Sequence, residues 1–464
     1  MISILTIREE MTDYLRTHRL TITQFSKISG INSGTLSRIL SGSKPISMEQ
    51  LERITFAMGL EESHFFSSYI DECFSFSAPN WRRLRPFLLR CAELNRLDCI
   101  EQVVDNLLDN LAYAPSLFEV AEELFEQKKY EAAALLYKGV SASEKYQHSE
   151  RLALCQYRLF VTTLGGDLDA NLEAAILFEA YVDRLDELDQ LEALRRLAHV
   201  FGAAHKWKKV EQLARKLHKI ATIQYKYEVN SGAGNQGERR PKKPVYYYIF
   251  YALLTLSVVC EECGQYEQAM HYAALYADSS WVREDTEESK QIIRQFQEWA
   301  VANTYIYRLL AGDMKMLTEY VNYLNCHEEE VFTGLCSIVQ AANLYGHNID
   351  DILERFSSFV PYSIHQSEFG GYSKPIIMDQ TAQFLSDLAA YQLHNNRHEG
   401  ISLILQGLDL SIKINSEKNI IRCMALFEKY RGISEDKEKE KFKSLVNEVE
   451  RLNEEKNNFF VSSI

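Results

Sequence analysis

Basic residues without acidic neighbours occupy one stretch near the start of the chain. Between Tyr14 and Met48 the 464-residue sequence contains no Asp or Glu. The basic residues of this stretch are Arg16, Arg19, Lys27, Arg38 and Lys44. Guanidinium and ammonium groups that have no carboxylate beside them are suited to contact nucleic-acid phosphates. Because the whole chain has a formal net charge of −14 at pH 7, the stretch predicts a local phosphate-binding surface on an acidic protein. An ordinary solvated surface is the alternative.

The sequence contains no segment with the spacing of a catalytic or metal-binding motif. His327 precedes three glutamates, but no second histidine follows at metal-ligand spacing. Cys260 and Cys263 form the closest cysteine pair, and no second pair completes a zinc site. Residues 232–237 match the glycine pattern of a dinucleotide-binding loop, yet they lie between a helix tail and a Pro/Lys/Arg run. We therefore expect no enzyme activity, no cofactor and no metal.

Helix start and stop signals predict five short helices in residues 1–74. Thr21 and Gln24 form a capping-box pattern. Gly30 can adopt a positive φ in a three-residue turn, and Asn32 can cap the helix after that turn. The predicted helices are Ile7–Arg19, Thr21–Ser29, Ser33–Leu40, Met48–Met58 and Glu61–Phe74. The first 74 residues are thus expected to form a small helical domain.

The segment LTITQFSKISGINSGTLSRILSGSKPISMEQLERITFAMGLEESHFF, residues 20–66, resembles the Cro/C1-type helix-turn-helix domain. In that family the third helix enters the major groove of DNA. The core positions of the resemblance are Phe25, Ile31, Leu36, Ile39, Leu51, Ile54 and Leu60. One residue departs from the family pattern: Ile22 stands where the family often has a phosphate-contacting Gln.

The resemblance implies two groups of DNA-binding residues. The residues that would face base edges are Ser33, Gly34, Thr35 and Arg38. The residues that would contact backbone phosphates are Ser41, Lys44 and Arg19. Among them Arg38 is the best candidate for a bidentate bond to guanine.

The remainder of the chain has an almost entirely helical pattern. Eight prolines and 20 glycines are few for this length, which argues against a β-rich fold. After a linker at 75–85, residues 86–433 contain repeated helical hairpins, of which Ala252–Asp278 with its turn at Gly264 is the clearest. These hairpins resemble degenerate tetratricopeptide repeats, which implies a right-handed α-solenoid. The whole protein is accordingly expected to be all-α.

Two further segments differ in composition from the helical hairpins. Residues 228–244 form a polar stretch with several glycines and are expected to be a flexible insertion. Residues 434–464 form a charged helix with apolar residues at seam spacing. The seam residues are Phe442, Leu445, Val449 and Leu452. This helix is expected either to cap the last repeat or to pair with its twin in a dimer.

A groove lined by stacked hairpins is suited to an extended peptide. Amide side chains can both donate to and accept from a peptide backbone. The candidate peptide-binding residues on predicted inner helices are Asn303, Tyr307, Gln340 and Asn343. Satisfaction of helix ends and neighbouring groups is the alternative role for these amides.

The combination of a Cro/C1-type domain with degenerate repeats resembles the RRNPP group of peptide-responsive regulators, and the layout is similar to that of the phage arbitrium receptors. The resemblance implies a homodimer on a two-fold DNA operator, with a short signalling peptide in the repeat groove. No apolar run approaching 20 residues and no signal-peptide pattern is evident in the sequence, so a cytoplasmic location and no membrane contact are expected. The alternatives are a constitutive repressor whose repeats only dimerise, and a repeat scaffold that does not bind DNA.

Overall fold

The protein is all-α, as the sequence predicts. A computed structural model describes residues 6–75, 79–108, 110–147, 149–231, 241–359 and 373–462. Within these ranges it contains helices and no strand. The chain divides into two compact units, Met1–Thr162 and Thr163–Ile464.

The first ten α-helices extend to the end of the first unit. They are α1 (Ile7–Thr17), α2 (Ile22–Ser29), α3 (Ser33–Leu40), α4 (Met48–Ala57), α5 (Phe66–Ser75), α6 (Trp81–Glu93), α7 (Leu97–Leu107), α8 (Ala114–Glu126), α9 (Tyr130–Ser143) and α10 (Glu150–Thr163). A single 3-10 turn at Leu111–Tyr113 precedes α8.

The second unit contains the remaining α-helices of the described ranges. They are α11 (Leu168–Glu179), α12 (Glu187–Ala203), α13 (Trp207–Ser231), α14 (Val245–Glu262), α15 (Tyr266–Ala277), α16 (Glu287–Leu310), α17 (Leu317–Leu324), α18 (Val331–Tyr345), α19 (Asp350–Arg355), α20 (Ser373–His394), α21 (Glu399–Lys413), α22 (Glu417–Tyr430) and α23 (Asp436–Ser462). Short 3-10 helices lie at Val182–Arg184, Met314–Met316, Glu328–Glu330, Ser357–Phe359 and Arg431–Ile433.

Side-chain caps explain why the first helices begin where they do. Thr21 and Ser47 each form a complete capping box at the start of α2 and α4. The Asn32 side chain accepts a hydrogen bond from Gly34 N at 2.9 Å, which fixes the start of α3. Gly30 has φ +67° and ends α2, a conformation that a side chain disfavours. The predicted bounds of the third helix and the predicted turn before it are confirmed.

One apolar core extends through the first unit from α1 to α10. The seven core positions predicted for residues 20–66 all contribute to it, six as buried residues and Leu60 as a partly buried one. The Phe87 ring of α6 lies 5.1 Å from the ring of Phe66 and 5.2 Å from that of Tyr69. Aromatic pairs at these separations are stabilising contacts. The five N-terminal helices therefore share their core with the helices that follow them.

The structure differs from the predicted linker at 75–85. Residues 76–78 lie outside the described residues, but α6 already begins at Trp81, where the Asn80 side chain accepts a hydrogen bond from Arg82 N. The apolar residues Leu84, Phe87 and Leu88 of this helix are buried in the core of the first unit. Burial of that face supplies the stabilisation that turns the segment into a helix.

Several of the turns between successive helices share one geometry. In each of these turns one residue has a positive φ, and the next helix begins two or more residues later. Glycine occupies this position at Gly264, Gly312 and Gly346, whereas Lys128 and His205 occupy it in the α8–α9 and α12–α13 hairpins. The predicted turn at Gly264 is confirmed, with φ +71°. The αL conformation satisfies the last carbonyls of the preceding helix.

Helix α14 is the one described helix whose length and composition would allow it to span a membrane. Its 18 residues have a mean hydropathy of 1.2. This helix is therefore closer in length and hydropathy to a membrane-spanning segment than the sequence analysis predicts. However, 61% of the helix is buried inside the protein, and it packs against both α13 and α15. An apolar helix covered by its neighbours is typical of a protein core.

The structure describes most of the predicted C-terminal helix but only part of the predicted insertion. Of the insertion predicted at 228–244, residues 232–240 lie outside the described residues, whereas residues 228–231 form the end of α13. In the C-terminal helix α23, Phe442 and Leu445 are buried, and Val449 and Leu452 pack against the same cluster. The seam of α23 thus covers apolar residues of α21 and α22 in its own chain.

Gly400 in α21 has no room for a side chain. A Cβ at this position would lie 2.5 Å from Cγ of Leu393 and 2.9 Å from the backbone oxygen of Ala389. We expect Gly400→Ala to lower the free energy of unfolding of the second unit by about 1–3 kcal/mol, because the clash with backbone cannot relax by side-chain rotation. Amide hydrogen exchange in α20 and α21 measures this loss. Gly432→Ala is the control, since a Cβ there meets open space; equal protection in the two variants would contradict the prediction.

Candidate functional site

The residues predicted to face DNA bases lie together on α3. Gly34 and Arg38 are exposed, and Ser33 and Thr35 are half-buried. Leu36 and Ile39 occupy the opposite face of the helix, where they are fully buried. The Arg38 Nε donates a weak hydrogen bond of 3.3 Å to the Gly34 carbonyl. The other guanidinium nitrogens have no hydrogen-bond partner among the described residues, so they are available to a ligand.

The loop after α3 is organised around the Arg38 carbonyl oxygen. The hydroxyls of Ser41 and Ser43 each donate to this oxygen at 3.2 Å, and the Lys44 backbone N donates to it at 3.1 Å. Three donors on one carbonyl close the end of the helix. Ser41 is exposed and Lys44 is half-buried beside it. Arg19, the third predicted phosphate contact, is exposed in the turn between α1 and α2 with φ +51°.

The positive charge of this surface is largely uncompensated. No ion pair within the described residues involves Arg19, Lys27, Arg38 or Lys44. Arg16 is the exception in the acid-free stretch, because it pairs with Asp13 at 2.8 Å on the exposed side of α1. A group of unpaired cations in a protein of net charge −14 attracts anions such as phosphate.

A buried carboxylate holds the elements that position this surface. Glu72 of α5 accepts hydrogen bonds from Arg8 Nη1 at 2.9 Å, from Arg83 Nη2 at 3.0 Å and from Ile46 N at 3.1 Å. The side chain of Glu72 is only 6% exposed, against 19% for Arg8 and 14% for Arg83. Burial of a carboxylate is tolerated because two guanidinium groups and a backbone N–H satisfy it.

The same two arginines reach both ends of the loop between α3 and α4. Arg8 Nε donates to the Ile39 carbonyl at 2.8 Å, and Arg83 Nε donates to the Ile46 carbonyl at 2.9 Å. The Tyr69 hydroxyl donates a further bond of 3.1 Å to Ile46 O. We call Arg8, Glu72 and Arg83 the loop clamp. It connects the end of α3 to α1, α5 and α6.

Sequence reasoning did not identify the loop clamp. Arg8 and Glu72 are 64 residues apart, and Arg83 falls in the segment predicted to be a linker. The available signal is local: Glu72 interrupts the apolar face of α5 between the buried residues Tyr69, Ile70 and Cys73. A charged residue on an apolar helix face requires a buried partner.

The predicted peptide-binding residues lie on α16 and α18, which pack against each other. Asn303 is half-buried, and its amide donates to the Tyr276 hydroxyl at 3.0 Å. Asn343 is half-buried and donates to the Asp387 carbonyl at 2.8 Å. Gln340 is also half-buried on α18. Each amide retains an exposed fraction, and peptide binding by these three residues stays a prediction.

Tyr307 has surroundings different from those predicted. Its ring is fully buried, and its hydroxyl donates to Ser257 Oγ at 3.1 Å. Burial and the nearby Glu261 carboxylate raise the pKa of this hydroxyl. The residue lies on the buried part of α16, together with its neighbours Ile306, Leu309 and Leu310. Tyr307 therefore contributes to packing in the structure and does not face a groove.

Glu261 is a carboxylate of α14 in the same region. Burial and the neighbouring Glu262 raise its pKa to about 8, and no ion pair of Glu261 occurs among the described residues. Between about pH 4.5 and pH 8 the folded protein keeps this proton while the unfolded chain loses it. The contribution of Glu261 to the free energy of unfolding therefore falls as the pH rises through this window.

We expect Glu261→Gln to remove part of that pH dependence and to stabilise the second unit at pH 8.5 by about 1–2 kcal/mol. Thermal unfolding followed from about pH 5 to pH 9 measures the difference between variant and wild type. Glu267→Gln on α15 is the control, because its side chain is exposed. A parallel pH profile for wild type and Glu261→Gln would contradict the prediction.

The first unit thus places an exposed helix, cations without ion pairs among the described residues and a clamped loop close together. It offers hydrogen-bond donors on Arg38, Ser33 and Thr35 at the surface of α3. Comparison of the sequence with protein-family models and with curated proteins found no match in either.

Proposed function

We propose that the protein is a sequence-specific DNA-binding transcriptional regulator and that α2 and α3 form its helix-turn-helix. The observation that carries the proposal is α3 itself: a short helix after a three-residue turn, with Arg38 exposed and no ion pair of Arg38 among the described residues. Arg with free Nη groups forms bidentate bonds to guanine O6 and N7. In this proposal Ser33, Gly34 and Thr35 lie against the base edges next to it.

Polar and basic residues around α3 fix the orientation of the domain on DNA. Arg19, Ser41 and Lys44 contact phosphates, which give affinity without sequence information. The loop clamp keeps Ser41 and Lys44 at a constant position relative to α3, because it holds the carbonyls of Ile39 and Ile46 at the two ends of their loop. A fixed register of the backbone contacts is what allows α3 to read bases.

The helical hairpins of the second unit form the regulatory part of the proposal. Stacked as tetratricopeptide-like repeats in a solenoid, they bind a short signalling peptide through Asn303, Gln340 and Asn343. The half-buried amides of Asn303 and Asn343 support this assignment, since each can exchange its present hydrogen bond for one to a peptide backbone. A peptide that binds one arrangement of the repeats better than another shifts the population of a homodimer and so its DNA affinity.

Arg38→Ala is the variant that tests DNA recognition. DNA selected from a random pool by the wild-type protein provides the specific ligand, and its scrambled version provides the non-specific one. We expect the variant to lose about 1–3 kcal/mol of binding to the selected DNA, with little change on the scrambled DNA. Lys138→Ala on α9 is the matched control, since Lys138 is an exposed cation of the same unit. Equal losses on both DNAs would contradict base reading by Arg38.

The peptide part is tested separately, by a gel shift with and without a low-mass extract of spent culture medium. A peptide receptor is supported if the extract changes the gel shift and if protease treatment of the extract abolishes that change. A shift that no extract alters favours a constitutive regulator whose repeats only dimerise. Absence of any sequence-specific shift favours a repeat scaffold that does not bind DNA.

A further inference from the structure

A second basic segment lies on α13, in the second unit. From Lys206 to Lys226 the sequence has seven basic residues and a single acid, Glu211. The chain as a whole has the opposite balance, with 51 basic and 65 acidic residues. This helix therefore concentrates positive charge in an acidic protein.

Four of these residues form a single exposed line along the helix. They are spaced by seven, four and seven residues, which places them on one face of an α-helix. They are Lys208, Arg215, Lys219 and Lys226, and all four are exposed. We call them the α13 stripe. At 1.5 Å per residue the stripe is about 27 Å long.

The ion pairs of α13 leave the stripe positive. Lys209 and Lys216 point away from it and pair with Glu179 and Asp183. On the stripe, Arg215 pairs with Glu211, whereas Lys208, Lys219 and Lys226 have no ion pair among the described residues. Glu211 thus compensates one of the four stripe cations, and the acids that pair with Lys209 and Lys216 leave the other three uncompensated.

The arrangement has a cost for the isolated protein. Arg215 and Lys219 are like charges at i and i+4, a spacing that destabilises a helix. Acidic residues at alternate positions would remove this repulsion, as they do in α23, where Lys and Glu alternate. A row of four cations of this length, with Glu211 as the single acid along it, is complementary to a polyanion. Duplex DNA presents one charge per about 1.7 Å of its axis.

We propose that the α13 stripe binds the sugar-phosphate backbone of double-stranded DNA, as a second and sequence-independent contact outside α3. The choice of DNA among polyanions rests on the proposed function. The contact consists of hydrogen bonds from ammonium and guanidinium groups to phosphate oxygens, with release of the counterions bound there. It raises affinity for any duplex and leaves discrimination between sequences to Arg38.

The test compares two full-length variants with the same change of charge. In the stripe variant Lys208, Arg215, Lys219 and Lys226 become Gln. In the control variant four exposed lysines elsewhere in the second unit become Gln, namely Lys315, Lys437, Lys441 and Lys443. Fluorescence anisotropy with a random-sequence duplex gives the binding constant at several salt concentrations from about 50 to 200 mM. Circular dichroism checks that both variants keep the helix content of the wild type.

We expect the slope of log K against log salt concentration to become shallower by about 3–4 in the stripe variant and to change much less in the control. Equal changes in the two variants overturn the inference, because they would reflect net charge alone. Unchanged DNA binding of the stripe variant together with lost binding to phosphatidylserine vesicles or to poly-glutamate also overturns it, in favour of a membrane or an acidic protein.

The outcome is independent of the test of Arg38. A stripe variant with wild-type DNA binding rejects this inference even when Arg38→Ala loses its sequence preference, and the proposed function then stands. A stripe variant with a shallower salt slope supports the inference even when Arg38→Ala behaves as wild type. If the wild-type protein binds no duplex under any of these conditions, both are rejected.

Discussion

Glu72→Ala should lower the free energy of opening of the first unit by about 3–5 kcal/mol, because removal of one partner leaves two buried guanidinium groups uncompensated. Arg8 and Arg83 would lose their carboxylate, and Ile46 N would lose its acceptor. The bonds from the two arginines to the carbonyls of Ile39 and Ile46 would weaken with them. The loop that carries Ser41 and Lys44 would then lose its fixed position.

Amide hydrogen exchange of α1, α3 and α5 measures the effect on stability, and anisotropy with duplex DNA measures the effect on binding. Glu123→Ala is the matched control, since Glu123 pairs with Arg85 at a half-exposed site of the same unit. Such a pair contributes about 0–1 kcal/mol. Equal protection in the two variants would mean that the loop clamp does not hold the first unit together.

Phe87→Ala should destabilise the first unit by about 3–5 kcal/mol through loss of buried area and creation of a cavity. Phe87 belongs to α6, beyond the five helices predicted to form the DNA-binding domain, and it is fully buried against Phe66 and Tyr69. Because the cavity opens beside α5, protection should fall in α4 and α5 as well as in α6. Weakened DNA binding should accompany this loss.

The comparison variant for Phe87→Ala is Phe427→Ala in the second unit. Phe427 is equally buried and stacks on Phe442 at 3.9 Å, so the chemical change is the same. Its effect should appear in α21, α22 and α23 and should leave the N-terminal helices protected. Loss of protection confined to α6 in Phe87→Ala would contradict a core shared between the first five helices and α6.

Local signals in the sequence were sufficient where a few adjacent residues determine the structure. Asn32 caps α3 and Gly30 ends α2, so the bounds of the third helix could be predicted from the residues next to them. The turn at Gly264 could be predicted for the same reason. By contrast, Lys128 and His205 adopt the same αL conformation without being glycine, so side-chain type alone does not mark those turns.

Long-range contacts could not be predicted from a single sequence. Nothing in the residues around Arg8 shows that Glu72 lies beside it, since the pairing depends on how α1 packs against α5. The prediction that Tyr307 lines a groove failed for a related reason. Helix α16 has apolar residues on several faces, so periodicity does not show which face is inward. The start of α6 depends on burial against α5, a contact that exists only in the folded unit.

The core shared by α5 and α6 has a practical consequence for dissecting the protein. A fragment that stops after α5 would leave the rings of Phe66 and Tyr69 without the cover of Phe87, and large exposed apolar surfaces promote aggregation. The shortest fragment expected to remain monodisperse in isolation ends near Thr162, where the first compact unit ends. Reporter fusions and domain swaps that join the chain at that residue preserve the surface presented by α3, whereas a junction at residue 75 removes its support.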